Sequence, residues 1–294
     1  MTLAELIERT AARFAAAPLC YGHGTDHPRD EAAWLVLRGL GLPFGSDLER
    51  NASAAEAERI ERLAARRIDE RVPVAYLLRE AWLAGQSFYV DERVIVPRSH
   101  IAELLPSLKR RSVKRVLDLC TGSGCLAVLA AKAFPAARVD AVDLSPPALA
   151  VARKNVAKHR LGRRIHLRRA DLFSGLHESR YDLIVTNPPY VSAGAMGQLA
   201  PEYRHEPRLA LAGGSDGLDL VARILHGAAQ HLQPEGLLVC EIGDGKASVE
   251  RRFRGLNLDW LKDEVFAVRR QALPRVASKG ASGRTPPTRA KGTR

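Results

Sequence analysis

DLCTGSGCLA, residues 118–127, decides how the chain is read. It closes the apolar run RVLDLC (115–120), which reads as a buried strand, and it opens a helix over 124–133. Gly122 and Gly124 let the backbone approach a ligand closely and turn into that helix. Strand and helix then keep alternating. Further strands are expected at ARVDAVDL (137–144), RIHLRRA (164–170), YDLIVTN (181–187) and GLLVCEIG (236–243), with closing strands around 256–260 and 264–269. Helices fit 146–159 and 218–232. Near-continuous apolar strands alternating with helices imply a parallel sheet covered on both faces. Ligands of such sheets bind beyond the carboxyl ends of the strands.

Upstream the texture is helical. Leu3, Leu6, Ile7, Ala11 and Phe14 recur at helical spacing, Pro28 opens a second helix ahead of Trp34, Leu35 and Leu37, and Ser53 with Glu56 forms a capping box before Ile60, Leu63, Ala64 and Ile68. QSFYVDERVIVPRS alternates like a hairpin turning at Asp91 and Glu92. The expected organisation is a helical domain over 1–80, a hairpin linker over 81–113, a strand–helix domain over 114–272 and a tail over 273–294.

Composition limits the function classes. At 294 residues with 46% hydrophobic residues, the chain supplies a core for two domains. No stretch of ~18 charge-free apolar residues predicts a membrane span, and the amphipathic, acid-containing N-terminus is unlike a signal peptide. Cys20, Cys120, Cys125 and Cys240 make no CxxC pair and no metal spacing, which suits reduced thiols in the cytoplasm. The net charge is +12, and half of it sits in QALPRVASKGASGRTPPTRAKGTR (271–294), which has six Lys/Arg and no acids. That tail has the composition of a disordered segment. KRRSVKR (109–115) and HRLGRRIHLRR (159–169) hold much of the remainder, and such clusters favour a polyanionic partner or serve as solvated surface.

The carboxylates around the glycine turn point to a nucleoside. Asp143 ends the second strand of the alternation, where a carboxylate can receive two ribose hydroxyls. The pattern Gly122-x-Gly124-x-x-Ala127 followed by Asp143 also fits a dinucleotide fingerprint. Asp118 argues for the other reading, because a carboxylate just before the glycines repels a pyrophosphate and welcomes a cationic amino-acid moiety. S-adenosyl-L-methionine carries such a cation. Asp171, after the third strand, is placed to bond an adenine amino group, with Leu172 and Phe173 flanking the ring.

TNPPY (186–190) ends the fourth strand with two prolines, which cannot continue a ladder. The side-chain oxygen of Asn187 and the carbonyl of Pro188, fixed between Pro188 and Pro189, are two rigid acceptors. Together they can hold both hydrogens of a planar NH2 group and aim its nitrogen at a methyl donor. Tyr190 can pack on the flat face of the substrate.

DLCTGSG, AVDLS and TNPPY together resemble class I methyltransferases that methylate amino groups, of which two branches use this hook: adenine-N6 DNA methyltransferases and protein-(glutamine-N5) methyltransferases. YLLREAWLAGQSFYVDERVIVPRS (76–99), PEYRHEPRLALAGGSDGLDL (201–220) and VCEIGDG (239–245) are similar to the glutamine branch, the HemK/PrmB family. PRSHIAELL, DLCTGSGC and YRHEP look like its PrmB type, whose acceptor is a large-subunit ribosomal protein, rather than the release-factor enzyme with its usual PRPDTE and GTGSG. The same reaction on a peptide-chain release factor is the alternative within the family. The resemblance covers about residues 1–272 and implies an α/β class I, S-adenosylmethionine-dependent fold. That fold is Rossmann-like, with a mostly parallel seven-stranded sheet and a small N-terminal helical domain. It implies cofactor contacts at Asp118, Cys120, Thr121, Gly122, Ser123, Gly124, Asp143, Asp171, Leu172 and Asn187, and no metal. It implies glutamine contacts across Asn187, Pro188, Pro189 and Tyr190. Glu206 and Pro207 are expected to brace the loop over the cleft, and Arg98 to anchor the hairpin. An adenine methyltransferase is the nearest rival, ahead of a non-catalytic ribosome-binding module and a nicotinamide dehydrogenase. The basic tail adds an expected electrostatic contact with ribosomal RNA.

Overall fold

The computed structural model describes residues 1–110, 112–176 and 179–274. The chain starts with helices α1 (Leu3–Ala16), α2 (Pro28–Gly39), α3 (Ala54–Asp69) and α4 (Val74–Leu78). Reciprocal capping boxes start α1 at Thr2/Glu5 and α3 at Ser53/Glu56, satisfying amide hydrogens that a first turn leaves orphaned. Leu3, Leu6, Ile7, Ala11 and Phe14 of α1 are buried in a cluster that also takes in Trp34, Leu35, Ile60 and Ala64. The same cluster reaches Ala148 and Val151 of the later strand–helix region, so the helical segment is packed onto it.

A short hairpin follows, β1 (Ala81–Leu83) and β2 (Gln86–Phe88). Its turn is Ala84–Gly85, both at positive φ (48° and 71°), and not the Asp91–Glu92 pair expected from alternation. Asp91 instead closes a local ion-paired turn, in which its carboxylate accepts from the Tyr89 hydroxyl and from Arg93. Polar residues mark the wrong turn, because a two-residue hairpin loop is selected by its positive φ values.

After α5 (Ile101–Leu104) come β3 (Arg115–Leu119), α6 (Cys125–Ala133), β4 (Arg138–Asp143), α7 (Pro146–Lys158), β5 (Ile165–Arg169), β6 (Tyr181–Thr186), α8 (Ala193–Met196), α9 (Asp219–His231), β7 (Leu232–Glu241), α10 (Lys246–Arg252), β8 (Asp259–Lys262) and β9 (Val265–Arg269). The seven-stranded sheet has the order β5-β4-β3-β6-β7-β9-β8, parallel from β5 to β7, with β9 antiparallel to both neighbours. This is the mostly parallel seven-stranded sheet that the resemblance implies. β8 begins later than expected, because Leu256 and Leu258 pack on the sheet as loop residues before the strand starts.

Two apolar clusters cover the two faces, one built with α5 and α6, the other with α9 and α10. Strand order reverses between β3 and β6, so their carboxyl ends open a crevice at the switch point. No helix among the described residues is long and apolar enough to cross a membrane. Of the expected tail, Leu273 is buried on the sheet, and 275–294 lie outside the described residues.

Candidate active site

The turn after β3 is held by its own polar groups. Asp118 is fully buried and accepts from the Thr121 hydroxyl at 2.5 Å, while the Thr121 amide donates to the Val142 carbonyl at 3.0 Å. Its Oδ1 has no hydrogen bond of ordinary geometry. Burial outweighs the Thr121 hydroxyl and the Ala127 amide, lifting the Asp118 pKa to about 7. Gly124 starts α6 at φ 78°, and a Cβ there would sit 3.1 Å from Ala152 Cβ, so the glycine permits both the turn and the approach of α7. The Ser123 carbonyl accepts from Asn155 Nδ2 at 2.8 Å. Asp118, Thr121 and Ser123 are therefore buried in the turn, and neither they nor Gly124 line the crevice.

What does face it is Cys120, Gly122, Asp143, Asp171, Leu172, Asn187 and Pro189, around a cleft of about 300 Å³. Asp143 Oδ2 accepts from the Gly122 amide and Oδ1 from the Ser145 amide, each at 2.8 Å. Each carboxylate oxygen retains a lone pair for a ligand hydroxyl. Burial raises its pKa. Cys120 and Leu172 both adopt left-handed backbone (φ 57° and 50°), a strain of order 1 kcal/mol or more that marks the wall they share. Asp171 is ion-paired with Arg223 at 2.7 Å, both half exposed. Phe173 corrects the sequence expectation: it turns away and stacks on His231 at 4.7 Å, in the space that Gly227 leaves open, so Leu172 lines the cleft without it.

A second cleft, of about 380 Å³, lies on the other side of the hook. Pro188, Tyr190, His100, Tyr203 and Glu241 line it, and Ile95, Asn187 and Ala210 line both clefts. Asn187 Nδ2 donates to the Arg98 carbonyl at 3.1 Å. A carbonyl only accepts, so the carboxamide must turn its nitrogen there, which leaves Oδ1 as a free acceptor. The chain after the hook is pinned by Val191–Leu211 and Gly213–Val191 backbone bonds. Gly217 keeps this closeness possible: a Cβ there would meet the Tyr190 carbonyl at 2.3 Å. Burial pushes the Tyr190 hydroxyl up to about 12.

The floor of the second cleft is braced from a distance. Glu206, buried, takes Arg98 in a two-point ion pair at 2.6 Å to each oxygen and accepts the Val96 amide at 2.9 Å. Four residues earlier, buried Glu202 accepts from Arg67 at 3.0 Å, Arg71 and the Cys20 amide. Arg67, itself fully buried, also reaches Glu31, so the segment 201–206 is tied to α2 and α3. His23 lies 3.9 Å from Glu206 against the Tyr203 ring, and burial lowers its pKa to about 4, which keeps it neutral.

Sequence reading misses Ile95 and Ala210, ordinary apolar residues whose shared position comes only from folding. It also misses Glu241 and His100, which lie within VCEIGDG and PRSHIAELL without anything in either stretch that singles them out from their neighbours. No group of His, Cys, Asp and Glu among the described residues is arranged to hold a metal ion.

Residues 101–202 match the family model described as "Methyltransferase small domain". The chain is 48% identical to a protein of Burkholderia pseudomallei named ribosomal protein uL3 glutamine methyltransferase, over 94% of this chain and 97% of that one. Proteins of the same name from Bordetella pertussis and Bradyrhizobium diazoefficiens are each 49% identical, covering 92% and 90% of this chain and 96% and 88% of theirs. With such identity sustained from end to end, the chain belongs to the ribosomal protein uL3 glutamine methyltransferase family.

Proposed function

We propose that this enzyme transfers a methyl group from S-adenosyl-L-methionine to the side-chain amide nitrogen of a glutamine in the large-subunit ribosomal protein uL3, in the cytoplasm. The observation that carries this reading is Asn187, one side chain in the wall of both clefts, with its nitrogen committed to Arg98 and its oxygen free. The names of the relatives support uL3 as acceptor over a release factor or a nucleic-acid base.

The first cleft suits the nucleoside. Asp143 offers acceptors for two ribose hydroxyls beside the Gly122 amide, and Val142, Ala148, Ala170 and Leu172 give apolar walls for a flat ring. When bound, the cofactor supplies a methyl group on a positively charged sulfur. The protein has to present an amide nitrogen, a poor nucleophile because its lone pair is conjugated. Asn187 Oδ1 and the Pro188 carbonyl accept the two amide hydrogens and fix the nitrogen's direction, while Tyr190 lies along the acceptor side chain. Holding reactants in line is worth several kcal/mol of barrier. With the methyl group supplied by a bound cofactor, the amide proton held at Asn187 Oδ1 or the Pro188 carbonyl would be the one displaced, leaving to water through the second cleft. The helical segment 1–80 serves acceptor recognition, and the tail over 273–294 adds electrostatic attraction to ribosomal RNA.

Mass spectrometry of ribosomal proteins from cells lacking this enzyme tests the reading. It expects uL3 alone to lose the mass of one methyl group, and an unchanged uL3 refutes the assignment.

A further inference from the structure

The ends of the sheet differ in charge. At the carboxyl ends stand Asp143, Asp171, Glu241 and the two clefts. At the amino ends stands a row of cations. Taken in the spatial order of the strands, Arg163 precedes β5, Arg138 begins β4, Lys114 and Arg115 begin β3, Arg180 precedes β6, and Arg270 follows β9, whose antiparallel course brings its last residue to this same end. From β5 to β9 there are five inter-strand steps of ~4.8 Å, so the row spans about 24 Å.

Most of these charges have no ion-pair partner among the described residues, and the Arg180 guanidinium donates to the Gln230 carbonyl. Lys114, Arg138, Arg163 and Arg180 are exposed and form no ion pair among the described residues. Arg115 lies over the Tyr181 ring and 3.6 Å from Asp140, and Arg270 donates to the Ala229 carbonyl. The nearby acids among the described residues are otherwise engaged. Asp182 accepts the amides of Lys114 and Arg115, Asp140 accepts from the Tyr181 hydroxyl, and Glu235 accepts from Gln271. The chain from Leu144 to Ala170 contributes no acid at all. Arg180, Arg270 and Leu273 line one hollow of about 450 Å³, and six further Lys and Arg residues follow in the sequence over 275–294.

We propose that this edge of the sheet is a binding surface for the phosphate backbone of RNA, engaged independently of methyl transfer. A linear array of mostly exposed cationic side chains, most without a counter-ion among the described residues, complements a polyanion and releases its condensed counter-ions. Arginine is suited to this because its planar donors match phosphate oxygens. The strands of five to six residues separate the row from the clefts by roughly 17–20 Å, so bound RNA leaves both clefts open. The choice of RNA over DNA rests on the ribosomal acceptor proposed above.

The test is the salt dependence of binding of the full chain to a fluorescein-labelled RNA hairpin, a DNA hairpin of the same sequence and phosphatidylserine vesicles. The wild-type chain binds the RNA hairpin with a negative salt slope. Arg138→Glu, Arg163→Glu and Arg180→Glu together weaken it at least about tenfold and shrink the slope by about 2, while methylation of isolated uL3 stays within about twofold. The matching triple Gln variant, without reversed charge, shrinks the slope by the same amount should the Glu variant lose its thermal transition. Replacing the six tail cations by Gln leaves a slope that the triple variant then removes. An unchanged slope in the triple Gln variant, a slope carried wholly by the tail, or tighter binding to DNA or vesicles overturns the proposal. The binding results do not depend on methyl transfer, so a failed acceptor assignment shows only in the methylation arm and is separately visible.

Discussion

Asp143 reaches the Gly122 amide across 21 residues of chain, whereas Glu206 reaches Arg98 across 108. The two clefts that meet at Asn187 differ throughout in this way. On the side proposed for the nucleoside, the hydrogen bonds that hold Gly122 and Asp143 are local, even though segments 93–95, 170–172 and 207–223 also line that cleft. On the acceptor side, Asn187 is oriented by a carbonyl 89 residues away, Glu241 takes the Ser99 hydroxyl from 142 residues away, and Glu202 is held by Arg67 from 135. A local site tolerates changes elsewhere in the fold. A site assembled from remote segments inherits the stability of all of them, so damage far from the chemistry is felt there.

The largest expected effect lies where the clefts join. Asn187→Ala should lower the rate of uL3 methylation by roughly 10²-fold or more while cofactor affinity changes little, because only positioning of the nitrogen is lost. Wild-type turnover would sink the mechanism. Next comes the remote brace. Glu206→Gln strands a mostly buried Arg98, a change that belongs at the lower end of the roughly 3–5 kcal/mol seen for broken buried pairs. Calorimetry should show the fall in stability and kinetics a fall in kcat, with cofactor binding retained. Equal losses of cofactor affinity and kcat would erase the distinction between the two sides.

On the local side, Asp143→Ala should weaken S-adenosylhomocysteine binding about tenfold, equal to ~1.4 kcal/mol, with a smaller effect on the acceptor KM. Isothermal titration that finds no change would move the nucleoside elsewhere. Gly124→Ala is expected to cost about 1 kcal/mol of stability through its positive φ and the Ala152 contact. A denaturation midpoint equal to wild type would show that α7 yields.

Two buried groups outside the clefts should give opposed pH slopes. Folded Asp118 keeps its proton to about pH 7, against an ordinary value of 3.8, so its stabilising contribution is full below pH 4 and is lost as pH rises to 7. His23, lowered from 6.5 to about 4, contributes stability above pH 6.5 that is lost as pH falls to 4. Melting temperatures across pH 4–7 should therefore diverge from wild type in opposite directions for Asp118→Asn and His23→Phe. Parallel curves would contradict both environments.

This same division explains what can be read before folding. The turn at Gly122 and Gly124, Asp143, the hook at Asn187 and the helix starts at Pro28 and Ser53 are carried by neighbours in the chain, and each is visible as a short pattern. The hairpin turn is misplaced by pattern alone because Ala84 sits at a positive φ that alanine does not advertise. Phe173 looks like a ring partner because nothing local shows that Gly227 opens a space for it beneath α9. Asp118 suggests a ligand contact, yet its depth behind Thr121 is a tertiary fact. The Asn187–Arg98–Glu206 chain lies beyond local reading altogether, since each link spans a distance that only topology closes.

The junction at Asn187 also has a kinetic meaning. On the proposed assignment the nucleoside and the acceptor chain occupy different clefts on either side of one carboxamide, so neither reactant has to pass the other. Product inhibition should thus follow a random-order scheme, and spent nucleoside should exchange for fresh while uL3 stays docked.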